Sequence, residues 1–260
     1  VPLDDRPLRT VAVVMAMLAE AEPVLERLGA HEVALPTEVG PLPFRWFRAS
    51  VAAGPSRPGL DVVISVNGRD RRTGVDKIGT QPAALNAYVT CLHHRPDLLV
   101  SAGTAGAWGA QGAEVGDVFV SRDRFVYHDR RIPLPGFDEY AIGAYPAVDA
   151  SALVAALGCK SGIVSTGNSL HDSDEDHRMM AEVGASVKEM EAAAVAWVAD
   201  LLGVPVLAVK AVTDLVDHPA GSAAQFTANL SMASARLADA LVATLGWCAG
   251  RSIADLGRAG

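Results

Sequence analysis

Acidic side chains stand at three places in this chain where an apolar run gives way to a helix or a loop. Glu189 and Glu191 lie in Lys188-Glu-Met-Glu191, just ahead of an Ala-rich helical stretch. Thr213-Asp214 ends the apolar run from Val204 to Val212, and Glu20 follows the run from Val11 to Met17. A helix N-terminus favours acids through its dipole, so one such glutamate alone reads as a solvated first-turn charge. Three such junctions read as one pocket, because ligands of open α/β sheets sit beyond the carboxyl ends of the strands. The chain has no Gly-x-Ser-x-Gly elbow, no His-Glu-x-x-His and no Cys/His pairing that suggests a nucleophile. Its chemistry must then rest on carboxylates. One acid gives a proton to a leaving group while another activates water.

The elements that must position these acids alternate along the chain. Val11 to Met17 reads as a buried strand followed by a helix from about Ala19. Strands follow over Val33 to Ala52 and Leu60 to Asn67, a helix over Thr80 to Leu92, and a short strand over Asp97 to Ser101. Further strands are expected at Val115 to Ser121, Arg124 to Tyr127 and Lys160 to Ser165. A helix over Glu175 to Glu182, a strand to Val187, a helix to Leu202, a strand to Val212 and a long helix from about Ala223 to Leu245 complete the order. This alternation predicts an α/β fold: a single-domain three-layer α/β/α arrangement with a central mixed twisted sheet flanked by helices. The domain is expected over residues 10–247, with a flexible tail at 1–9 and another at 248–260. The Pro/Gly-rich stretches Ala53 to Gly59 and Arg131 to Gly136 are short enough to be loops within it.

Composition narrows the function. Half of the 260 residues are hydrophobic and the formal charge is −8, which argues against a nucleic-acid partner. The basic cluster Arg69-Asp-Arg-Arg72 reads as a solvated loop. Cys91, Cys159 and Cys248 are odd in number and far apart, so neither a disulfide framework nor a zinc site is indicated, and a reducing cytoplasm is expected. No apolar run is long enough to cross a bilayer, and Val1 to Arg9 is too polar for a signal peptide.

Two motifs invite stronger readings than they support. Gly103-Thr-Ala-Gly-Ala-Trp-Gly109 fits neither a dinucleotide fingerprint nor a phosphate-binding P-loop, and reads as a glycine turn that lets a ligand approach the backbone. His171-Asp-Ser-Asp-Glu-Asp-His177 fails as a calcium loop, having His177 where glycine is required and Val183 in place of the bidentate glutamate. Its acids suit the start of a solvated helix. Neither a metal nor a cofactor is expected.

From Val11 to about Leu245 the chain resembles the nucleoside phosphorylase/hydrolase superfamily, and within it the plant-type 5′-methylthioadenosine nucleosidases. The resemblance is carried by Ala16-Met-Leu-Ala-Glu-Ala-Glu-Pro23, Pro96 to Gly106, Val115-Gly-Asp-Val-Phe119, His128-Asp-Arg-Arg-Ile-Pro133, Ser165-Thr-Gly-Asn-Ser-Leu170, Lys188-Glu-Met-Glu191 and Lys210 to Asp217. It implies hydrolysis of the N-glycosidic bond of 5′-methylthioadenosine, or of S-adenosylhomocysteine or another 5′-modified adenosine. Asp214 would protonate adenine N7, a role that requires burial of the acid, and Thr213 would orient it. Glu20 would take the proton of the water attacking C1′, and Glu191 would hold the ribose 2′- and 3′-hydroxyls. Met190 would pack on the sugar, Glu189 would make a second contact near the ribose and water, and Thr104 and Ala105 would line the sugar side. The backbone near Leu170 would meet the adenine edge. The resemblance also implies a homodimer in which a partner's loop, near Ile132 to Phe137, closes the 5′ pocket.

Two segments depart from the family pattern. Ser169 stands where many bacterial members have an aromatic residue against adenine, and Asp217 to Phe226 differs from the usual loop after the acid. Phosphorolysis of the same bond is the competing activity, but it calls for arginines in the first glycine-rich loop, which here carries Glu20 and Glu22. A non-catalytic nucleoside-binding relative would be expected to lack the acids.

Overall fold

The structure, a computed structural model, describes residues 5–54 and 58–257. In chain order it contains β1 (Thr10–Met15), α1 (Leu18–Leu28), β2 (His31–Val33), β3 (Arg45–Val51), β4 (Leu60–Val66), α2 (Thr80–His94) and β5 (Leu98–Ala107). Then follow β6 (Val118–Tyr127), α3 (Asp138–Ile142), β7 (Tyr145–Pro146), α4 (Ser151–Leu157), β8 (Lys160–Thr166), α5 (Asp174–Glu182) and β9 (Ala185–Glu189). The chain ends with α6 (Ala192–Leu202), β10 (Val206–Leu215), α7 (Ser222–Cys248) and α8 (Ile253–Gly257).

Among the described residues, the ten strands join one mixed sheet. β1 runs parallel to β4 and β5, with β3 and then β2 added antiparallel beyond β4. From β5 the pairing continues through β10, β6, β8 and β9 and returns to β5, so five strands close a circuit. One edge of β5 is therefore shared: Leu98 to Ser101 pair with β1, whereas Gly106 and Ala107 pair with β9. The interval between those partners, Ala102 to Ala105, is where the cavity described below opens.

Strand alternation divides the core between the two faces. Val11, Val13 and Met15 of β1 pack with α1 residues such as Val24 and with Leu237, Leu241 and Leu245 of α7, while Ala12 and Val14 face Ala83 and Ala87 of α2 and the alanines of α6. The run Ala192-Ala-Ala-Val-Ala196 is wholly buried, since small side chains let α6 lie close to the sheet. This is the expected architecture of a central sheet with helices on both faces.

Several boundaries differ from the expectation. β5 continues through the glycine-rich segment to Ala107 instead of turning at Gly103, and β6 joins two expected strands across Asp123, at φ 67°. The Pro-rich stretch before Tyr145 contains α3. The ends read as tails are packed where described: Leu8 is buried with its amide donating to the Arg251 carbonyl at 2.7 Å, and α8 buries Ile253 and Leu256. Residues 1–4 and 258–260 of those expected tails, and 55–57 of the Ala53 to Gly59 loop, lie outside the described residues. Among the described residues, no helix is long and apolar enough to cross a membrane.

Candidate active site

A cavity of about 580 Å³ opens at the carboxyl ends of β1, β5, β9 and β10 and gathers Glu20, Glu189, Glu191 and Asp214 into one lining. Strand ends supply these residues because the side chain that follows a buried strand emerges at the rim of the sheet.

Glu20 sits in the first turn of α1 and is 4% exposed. Its Oε1 accepts from the Thr104 amide at 2.8 Å and the Thr104 hydroxyl at 2.7 Å. The shared edge of β5 explains the first bond, since Thr104 lies between the stretches that pair with β1 and β9 and gives its amide to the carboxylate. Burial raises the Glu20 pKa above its ordinary value, against the opposing pull of the Thr104 hydrogen bonds and the Lys210 charge. A carboxylate so placed is a base brought closer to neutral pH.

Asp214 lies near the end of β10 and is 2% exposed. Thr213 donates its hydroxyl to Asp214 Oδ1 at 2.8 Å and lies 3.3 Å from the Ala105 carbonyl. Asp214 Oδ2 is buried without a hydrogen-bond partner. A carboxyl placed this way has one oxygen anchored and the other available to a ligand.

Glu191 is half-buried between β9 and α6, and the Gly79 amide donates to its Oε1 at 2.8 Å. Burial, followed by the Glu189 charge, pushes its pKa up to about 7. Met190, Leu170, Thr104, Ala105 and Thr213 also line the cavity. Ile132 does not, and its loop exposes Leu134 and Phe137 to solvent.

Glu189 lines the cavity and is also tied into the protein around it. Its carboxylate accepts from the Thr166 hydroxyl, from the amides of Glu191 and Ala192 at 2.9–3.0 Å, and from Lys210 Nζ at 2.9 Å. Its side chain is 1% exposed and is committed to the N-terminus of α6 and to a buried cation, where the helix dipole favours it. These contacts fix the backbone from which Glu191 projects.

The Phosphorylase superfamily pattern matches residues 10–245. The chain belongs to the phosphorylase superfamily. A 5′-methylthioadenosine nucleosidase of Arabidopsis thaliana is 38% identical over 251 residues, covering 96% of this chain and 91% of the relative. A 5′-methylthioadenosine/S-adenosylhomocysteine nucleosidase of the same plant is 35% identical over 98% of this chain and 97% of the relative. The solved apo structure of A. thaliana 5′-methylthioadenosine nucleosidase superimposes with a TM-score of 0.90, covering 96% of this chain and 100% of that one. Within the phosphorylase superfamily, the chain is thus a member of the 5′-methylthioadenosine nucleosidase family.

This superfamily member places residues at the cavity that sequence reasoning left out. Arg69, Val75, Asp76 and Ile78 reach it from the segment between β4 and α2, which Gly79 ties to Glu191. Arg69 belongs to the cluster expected to be solvated; its side chain is indeed 67% exposed, yet it stands at the cavity rim 3.4 Å from Asp76. Phe226, at the start of α7, supplies an aromatic face that Ser169 does not. The acidic cluster after Leu170 splits. Asp174, Glu175 and Asp176 occupy the first turn of α5 behind a Ser173 capping box, as its helix-start reading anticipated. Asp172 and Asp176, however, are inside, paired with Lys188 and Arg131, where a wholly solvated segment was expected.

Proposed function

We propose that this protein hydrolyses the N-glycosidic bond of 5′-methylthioadenosine, releasing adenine and the 5-methylthio sugar. The observation that carries the reading is the convergence of a buried carboxyl with one unpartnered oxygen, Asp214, and a second buried carboxylate held by Thr104, Glu20, on one cavity. Asp214, oriented by Thr213, donates its proton to adenine N7, so the C1′–N9 electron pair leaves on a neutral base. The sugar becomes oxocarbenium-like and the negative charge of Glu191 favours it while holding the 2′- and 3′-hydroxyls. Water adds its oxygen to C1′ and passes a proton to Glu20. Thr104, Ala105 and Met190 flank the sugar, the backbone at Leu170 meets the base, and Phe226 offers it an aromatic face.

Two features favour water over phosphate. Glu20 places a carboxyl where an attacking anion would approach, and Arg69 is paired with Asp76. The role of the acid is tested with Asp214→Asn, which keeps the shape and removes the proton. Loss of adenine release with the fold retained supports the reading, and full activity overturns it.

The protein works as a homodimer in this reading. Leu85, Tyr88 and Leu92 of α2 and Trp197 and Leu201 of α6 are exposed on two helices that pack together, an apolar face suited to a second copy. The exposed Ile132 to Phe137 loop is then the partner's contribution to the 5′ pocket. Three unpaired cysteines suit a cytoplasmic enzyme of methionine salvage.

A further inference from the structure

Lys188 opens the stretch that carries Glu189, Met190 and Glu191, and the reaction as described makes no use of it. Its ammonium is inside the protein, with the side chain 5% exposed, and pairs with the carboxylate of Asp172, also 5% exposed. The same ammonium donates to the Leu170 carbonyl at 2.8 Å. Asp172 Oδ1 is buried without a hydrogen-bond partner and faces His128 Nε2 across 3.9 Å. His128 is held in turn, its Nδ1 2.9 Å from Ser165 Oγ, and Gly167 gives it room, since a Cβ there would stand 2.2 Å from Nε2.

Residues 167–172 are therefore strapped to β9 by buried charge, while Ser169 and Leu170 of the same segment line the cavity. A buried ion pair contributes little net stability over apolar packing. What this one supplies is direction: a carbonyl that accepts from a fixed cation has its plane set and one lone pair left.

We infer that Lys188 is a positioning residue for the base subsite: held by Asp172, it fixes the Leu170 carbonyl as the acceptor for the exocyclic amine of adenine. The inference rests on the proposed function, in which the base lies between Asp214 and Leu170. A carbonyl only accepts, and the 6-amino group is the one donor on the rim of a 9-substituted adenine, so the match follows from the chemistry of both partners.

The test is a cycle between side chain and ligand, using calorimetric dissociation constants for adenine and for purine, which lacks the amino group. Wild type is expected to bind adenine about tenfold tighter than purine, as one well-made hydrogen bond implies. In Lys188→Met the ratio should fall to about threefold or less through weaker adenine binding. Lys188→Arg should restore it in part, and KM for 5′-methylthioadenosine should move more than kcat. An equal weakening of both bases, as a merely structural role would give, overturns the inference, and so does an unchanged ratio. Should Lys188→Met not fold, the same cycle on Asp172→Asn decides by the same criterion. If wild type releases no adenine from 5′-methylthioadenosine, the functional reading fails. If it does and the ratio is insensitive, only the role of Lys188 fails.

Discussion

Asp214 and Gly106 are register partners across the parallel pair β10 and β5, and Asp214 Oδ2 lies 2.8 Å from the point where a Cβ on Gly106 would stand. The acid fills room that glycine leaves. At Gly103 the corresponding point is 3.4 Å from Glu20 Oε1, an ordinary contact, so the fit there is less tight. Gly106→Ala should leave the sheet intact, because the backbone there is not in the left-handed region, but it should push the carboxyl aside. Turnover is expected to fall about 100-fold with the melting temperature little changed, since a displacement near 1 Å has effects of that size. Steady-state kinetics beside a thermal melt would show it, and unaltered turnover would remove the steric argument.

Glu20→Gln keeps an acceptor for Thr104 and loses the base. Adenine release should drop by roughly 10²–10⁴ while ligand binding persists. Calorimetry with the substrate separates this outcome from a damaged cavity, and near-normal turnover would rule out water activation by Glu20.

Glu191 couples stability to pH. Its folded pKa, about 7, lies above the ordinary 4.5, so between these values the folded state holds a proton that the unfolded state releases. This contribution to stability is full below about pH 4.5 and is lost as pH rises through about 7. Glu191→Gln should therefore be inactive yet more stable than wild type at pH 8, by roughly 1–3 kcal/mol, with the gain vanishing toward pH 5. Urea unfolding at both values measures it, and a gain independent of pH would contradict the assignment.

Lys210 and Glu189 form a buried pair, with side chains 2% and 1% exposed. Lys210→Met strands the Glu189 charge and should cost roughly 3–5 kcal/mol, whereas Lys210→Met combined with Glu189→Gln should recover part of it. Equal losses in the single and double variants would show that the charge itself is not what matters.

The alternation of apolar runs and helices was enough to anticipate a central sheet with helices on both faces, and the acids at strand ends were enough to anticipate the cavity. Both are local patterns. What escaped depended on contacts distant in sequence. Gly103 and Gly106 look like a turn because glycine is the usual breaker, yet both stay in β5, and at Gly106 the missing Cβ leaves room for the Asp214 carboxyl. Nothing near Glu189 in sequence reveals Lys210, 21 residues away, as its ion-pair partner. Arg69 is brought to the cavity rim by a segment whose anchor, Gly79, is tied to Glu191. Asp172 looked solvated among other acids until β9 placed Lys188 beside it. Ile132 stays off the cavity of its own chain.

In the proposed reaction water, activated by Glu20, attacks C1′ as Asp214 releases adenine. The most direct measurement is to incubate the protein with 5′-methylthioadenosine in oxygen-18 water, with and without phosphate, and weigh the sugar product before its anomeric oxygen exchanges. The account predicts free methylthioribose labelled at C1 at the same rate in both buffers. An unlabelled sugar 1-phosphate, formed only when phosphate is present, would contradict it.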